Sequence, residues 1–111
     1  MNISELAEKI ITFRNARNWK QFHNAKDCAI SLSLEASELL EIFQWKDSSE
    51  SIEHNLDDIK DELADILYYV ILMSHDLNID LNEALLQKLK KNEEKYPVSK
   101  SYGSNKKYTQ L

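Results

Sequence analysis

The sequence predicts an all-α domain built on an antiparallel helical hairpin, of the four-helix-bundle type. Apolar residues recur at three- and four-residue intervals through four segments, and no segment alternates apolar with polar residues as a strand does. The 111 residues include one glycine and one proline, against abundant Leu, Ile, Ala, Glu and Lys. A chain of this length is one domain and buries only about 60–70 % of its unfolded surface. It can fold alone but gains from association, so completion of the bundle by oligomerisation fits such a chain.

The first helix is predicted over Ser4–Arg17, with Ile3, Leu6, Ile10 and Phe13 on one face and Asn2 with Glu5 as a cap pair. A connector follows from Asn18 to Asn24. The second helix is predicted over Ala25–Trp45 and a polar loop over Lys46–Glu53. The third runs over His54–Asp76, with Leu56, Ile59, Leu63, Ile66, Val70 and Ile71 at helical spacing. Asp80 followed by Glu83 is a capping-box signature for a fourth helix that ends near Lys95, before Pro97. Residues 1–96 form the domain. Residues 97–111 read as an irregular basic tail.

Charge and composition exclude several classes. The chain carries −5 overall, but no acid follows Glu94, while Lys95, Lys100, Lys106 and Lys107 do. The body up to Glu94 holds ten cations against nineteen acids, which argues against nucleic-acid binding. No stretch reaches the roughly 18 apolar residues of a membrane span. The amphipathic, acid-bearing start does not read as a secretory signal, and lone Cys28 gives no sign of an oxidising compartment, so a cytoplasmic location is expected.

The second helix carries the chemistry. Between Cys28 and Leu40 its only charges are Glu35 and Glu38, one turn apart on one face and without a same-helix cation at i+3 or i+4. Glu62 and Asp65 repeat the pattern on the third helix. The two pairs centre on positions 36.5 and 63.5, equidistant from position 50 in the predicted loop. In an antiparallel hairpin at about 1.5 Å rise per residue, both pairs then sit at one height above the turn. Glu35 is expected to face Asp65, and Glu38 to face Glu62.

Clustered carboxylates in an apolar setting raise one another's pKa values and call for a proton or a cation. A hard divalent ion with all-oxygen ligands suits them, magnesium above all. Helical di-iron sites use Glu-x-x-His pairs, and no His follows a Glu by three here. The plain alternative is four solvated acids, or acids paired with Arg14, Arg17, Lys88 or Lys91.

Glu35-x-x-Glu38, 23 intervening residues and Glu62-x-x-Asp65 together resemble the signature of the MazG-like all-α nucleotide pyrophosphohydrolases. Trp19-Lys20-Gln21-Phe22-His23, Leu34 to Leu39, Phe43-Gln44-Trp45, Asp61 to Tyr69, Lys88 to Asn92, Tyr96-Pro97 and Lys107-Tyr108-Thr109 are similar to the dCTP pyrophosphatase branch. The resemblance covers nearly the whole chain. It implies magnesium-dependent cleavage of a nucleoside triphosphate to monophosphate and pyrophosphate, in a homodimer or homotetramer with sites near subunit contacts. By matching position it assigns Glu35, Glu38, Glu62 and Asp65 as catalytic metal ligands. It places Trp19, His23, Trp45, Tyr69, Lys88 and Asn92 around the nucleotide, with Lys106 and Tyr108 in a closing tail. Glu93-Glu94-Lys95 departs from the basic stretch seen in relatives.

Phosphoryl transfer asks for charge neutralisation and in-line placement, which a carboxylate-held ion supplies to an anionic substrate on an acidic body. Trp45 falls two turns past Glu38 on the same stripe and Tyr69 one turn past Asp65, where aromatics can stack on a base. The alternative from another class is a non-catalytic helical interaction module that retains the fold.

Overall fold

A computed structural model describes all residues, 1–111. It contains five α-helices: α1 (Ile3–Ala16), α2 (Ala25–Phe43), α3 (Ser48–Asp76), α4 (Leu81–Lys95) and α5 (Val98–Ser101), with 3-10 turns at Lys20–Phe22 and Tyr108–Gln110. There is no strand, as the absence of period-two patterning predicts. Residues Met1–Ile79 and Asp80–Leu111 form two compact units.

In the first unit α2 and α3 make the antiparallel hairpin, and α1 lies against α3. Each helix start is fixed by a short polar side chain that accepts the N–H three residues on. Asn2 takes Glu5 at 2.8 Å, Asn24 takes Asp27 at 2.8 Å and Asp47 takes Glu50 at 2.8 Å. Such a bond satisfies one of the orphan donors of a first turn, and losing it costs about 1 kcal/mol. The helix ends use asparagine where glycine is usual. Asn18 (φ 54°) follows α1, and Asn78 (φ 55°) follows α3, where the Ile79 N–H returns to the Ser74 carbonyl at 2.8 Å.

Two sequence expectations change at the hairpin turn. α2 ends at Phe43, two residues before the predicted limit, because Gln44 turns extended (ψ 131°) and Trp45 adopts φ 65°. Trp45 is therefore off the Glu38 stripe and 93 % exposed. The expected loop Lys46–Glu53 is helical from Ser48, because Asp47 caps it, and the Ser51 hydroxyl donates to the Ile42 carbonyl at 3.1 Å. A break at Asn55 (φ −130°, ψ 26°) separates this short piece from the long remainder of α3. The long helices thus part at Phe43 and resume beyond Asn55, which keeps the hairpin symmetric about the position the spacing predicts.

The apolar core is small. Cys28, Ile71 and Leu72 are its fully buried members, at the end of the hairpin away from the turn. Arg14 is buried beside them at 1 % exposure, and both its terminal nitrogens donate to Asp76, at 2.7 and 2.8 Å. This pair fastens α1 to the end of α3.

In the second unit α4 is capped by Asp80, which accepts the Glu83 N–H at 3.1 Å, and ends at Lys95, as the capping signature and Pro97 predict. The stretch expected to be irregular contains α5 and the last 3-10 turn. Tyr108 packs edge-on to Tyr96, with ring centroids 5.8 Å apart. The ammonium groups of Lys95 and Lys107 lie 4.9 and 5.6 Å from the Tyr108 ring centre.

Candidate metal centre

The hairpin brings the two acidic pairs together. One carboxylate oxygen each from Glu35, Glu62 and Asp65 lies within 4.8 Å of the others, a grouping able to hold a metal ion. Oε2 of Glu35 and Oε2 of Glu62 are enclosed and have no hydrogen-bond partner. Burial, then the approach of the Glu62 and Glu38 carboxyls, pushes the Glu35 pKa up to about 7, with the charge of Asp65 adding to the effect. Burial first, with the charges of Glu38 and Asp65 behind it, also moves Glu62 upward. Glu38, itself exposed, stands outside the close trio, yet near enough to raise both neighbours.

The arginines considered as partners go elsewhere. Arg14 is spent on Asp76. Arg17 donates to the Phe13 carbonyl, and its guanidinium carbon lies over the Phe13 ring, 3.7 Å from its centre. Neither offsets the carboxylates.

Beside the trio lies a cavity of about 250 Å³, walled by Phe13, Trp19, His23, Tyr68 and Tyr69, with Glu35 and Asp65 at its acidic end. Trp19 meets Phe13 edge-to-face at 5.8 Å, and Phe13 meets Tyr68 at 6.2 Å, so the wall is a connected aromatic cluster. Trp19, His23 and Tyr69 were singled out in the sequence. Phe13 and Tyr68 were not: Phe13 reads as an ordinary core position of α1. The signal for Tyr68 is its place one turn beyond Asp65. A second cavity, of about 410 Å³, lies on the other flank of the carboxylates, lined by Glu38, Glu41, Ile42, Asp58, Asp61 and Glu62. Trp45 lines neither. Lys88, Asn92, Lys106 and Tyr108 belong to the second unit.

A helical hairpin that converges carboxylates beside an aromatic cavity defines a class of helical proteins with a potential metal centre. The chain belongs to the MazG-like family, whose model matches residues 30–111. Among curated proteins it is similar to dCTP pyrophosphatase 1 of Mus musculus, 35 % identical over 104 residues, and of Homo sapiens, 33 % identical over the same length. Both alignments cover 89 % of this chain, which spans 61 % of the length of these relatives. Among solved structures it is similar to a pyrophosphatase from Archaeoglobus fulgidus, with TM-score 0.81 and 40 % identity, covering 85 % of this chain and 91 % of that one.

Proposed function

We infer that the chain is a magnesium-dependent nucleoside triphosphate pyrophosphohydrolase, cleaving its substrate to the monophosphate and pyrophosphate. The observation that carries the reading is the pair of enclosed, unpartnered oxygens on Glu35 and Glu62 within reach of Asp65. The donor set fits the ion. It is all oxygen, lacks a neutralising arginine, and leaves coordination positions for waters and phosphates, as magnesium requires. Glu35, Glu62 and Asp65 would hold it, and Glu38 would complete the set. When bound, magnesium neutralises phosphate oxygens and increases the acidity of coordinated water.

The protein's own groups do the rest. The walls formed by Phe13, Trp19, Tyr68 and Tyr69 enclose a space suited to a base and its sugar, with His23 as a polar contact. This cavity opens onto Glu35 and Asp65, so a nucleotide seated there presents its phosphates at the carboxylates. A carboxylate oxygen not engaged by the ion accepts the proton of the attacking water. The similarity to dCTP pyrophosphatases favours a pyrimidine deoxynucleotide or a modified relative. Lys88, Asn92, Lys106, Tyr108 and Trp45 enter as substrate contacts through the resemblance.

Assembly belongs to the same reading. Ile30, Leu34 and Leu40 of α2 and Leu56, Leu63 and Leu67 of α3 are exposed, Leu34 by 59 % and Leu63 by 52 %. Apolar rows of this kind on both helices of a hairpin match the inner face of a four-helix bundle, which a second copy completes.

The test is incubation with magnesium and a panel of canonical and modified triphosphates, with pyrophosphate and orthophosphate assayed separately. Pyrophosphate released in step with monophosphate is expected. Orthophosphate as first product overturns the reaction, and nucleotide binding without turnover makes the chain an interaction module.

A further inference from the structure

His23 borders two cavities. One is the aromatic pocket beside the carboxylates. The other, about 420 Å³ in volume, is bounded by Lys20, His23, Asn24, Cys28, His75 and Asp76 and has no part in the reaction above. Its size is that of a small-molecule site.

Its charge is unlike that of the rest of the body. Asp76 is the one acid on its wall, and both its oxygens are taken by Arg14 at 2.7 and 2.8 Å. Lys20, His23 and His75 line the same wall, and none of them forms an ion pair within the protein. The Asp76 carboxyl is held below the ordinary range by Arg14 first, with smaller effects from His75 and Lys20, which places both within electrostatic reach of it. Nδ1 of His23 is enclosed and makes no hydrogen bond within the protein. An enclosed nitrogen without a partner is costly unless a ligand or water supplies one. The basic groups come from two places in the chain: Lys20 and His23 from the 3-10 turn and its cap, and His75 from the last turn of α3. Basic groups lining one cavity from two parts of the chain, the 3-10 turn and the end of α3, suit a compact anion with several acceptor oxygens.

We propose that this cavity is a second anion site, distinct from the carboxylate centre, which takes a phosphate group. Lys20 supplies charge, and His23 and His75 supply N–H donors. Anion binding here is independent of hydrolysis at the carboxylates. It places the anion against the imidazole that also walls the aromatic pocket.

The chain has three histidines, which makes the test direct. Imidazole resonances are followed by NMR with EDTA present, while inorganic phosphate, pyrophosphate or a deoxynucleoside monophosphate is titrated in at constant ionic strength. Saturable shifts of His23 and His75, with His54 still, are expected for at least one of them, and the tightest identifies the phosphate source. Lys20→Ala and His75→Gln change exposed side chains. Each is expected to weaken binding about fivefold or more with helicity unchanged, the loss of one charge-assisted contact. Four results overturn the proposal: no saturation, equal shifts at all three histidines, unchanged affinity in Lys20→Ala, or binding that appears only when magnesium replaces EDTA.

Discussion

Glu35 shows at the scale of one residue how burial and neighbouring acids hold a carboxyl under charge strain. Its ordinary carboxyl pKa of 4.5 rises to about 7 in the folded protein. Between those values the folded state holds protons that the unfolded chain has released, so metal-free stability falls as pH climbs through the window. Glu62 shifts in the same direction and adds to the loss. A divalent ion bound there would reverse the balance, because it would favour the ionised carboxylates and bind only the folded state. Melting in EDTA should therefore give a higher midpoint at pH 5 than at pH 8, and magnesium should raise the midpoint more at pH 8. A midpoint indifferent to magnesium at pH 8 removes the ion from the site. Glu35→Gln should raise the pH 8 midpoint in EDTA and shrink the magnesium response.

Trp45 is strained in another way. A bulky residue at φ 65° costs about 1–2 kcal/mol relative to a right-handed conformation, and at 93 % exposure little packing offsets it. Strain kept at an exposed aromatic points to use rather than stability. Trp45→Gly should stabilise the fold by about 1 kcal/mol in denaturant titration. It should also lower kcat/KM about tenfold or more if the indole stacks on substrate. Unchanged kinetics would take Trp45 out of substrate recognition.

At the scale of the element, the Arg14–Asp76 pair decides how α1 is held. Removing Asp76 leaves a buried, uncompensated guanidinium, a loss of about 3–5 kcal/mol. Asp76→Ala should lower the melting midpoint severely. Because Arg14 keeps the Asp76 carboxyl below its usual range, the pair's contribution is present at neutral pH and disappears as pH falls through the acid range. A mild effect would show that α1 is held by Phe13 and its aromatic neighbours instead.

Helix starts were legible because capping chemistry is local: Asn2 with Glu5 and Asp80 with Glu83 read directly from the chain. Helix ends were less so. With one glycine available, Asn18 and Asn78 take the left-handed positions, and asparagine is common enough elsewhere to give no clear signal. The turn of the hairpin was the hardest. Ser48–His54 is too polar to show an apolar stripe, and its helicity follows from the Asp47 cap and the Ser51 bond to Ile42.

At the scale of the molecule, the apolar inventory exceeds what one copy buries. Three apolar side chains are fully enclosed, while Leu34, Leu40, Leu56 and Leu63 are each more than half exposed. Small domains with so little core gain stability by associating. Sedimentation should show a dimer or larger species, with a melting midpoint that rises with protein concentration. Leu34→Lys with Leu63→Lys should dissociate it and lower the midpoint. A monomer in the parent protein would refute the bundle.

The sequence by itself determined the helical class, the acidic pairs and their convergence, because helix periodicity and hairpin symmetry are properties of spacing alone. Tertiary structure decided the rest. It left Glu38 outside the close trio, turned Trp45 into solvent, brought Phe13 of α1 and Tyr68 of α3 into one aromatic wall, and gave Arg14 to Asp76. These outcomes depend on which side chains from distant segments meet, and on how backbone breaks at Trp45 and Asn55 redirect the chain. Spacing along one helix carries no record of either.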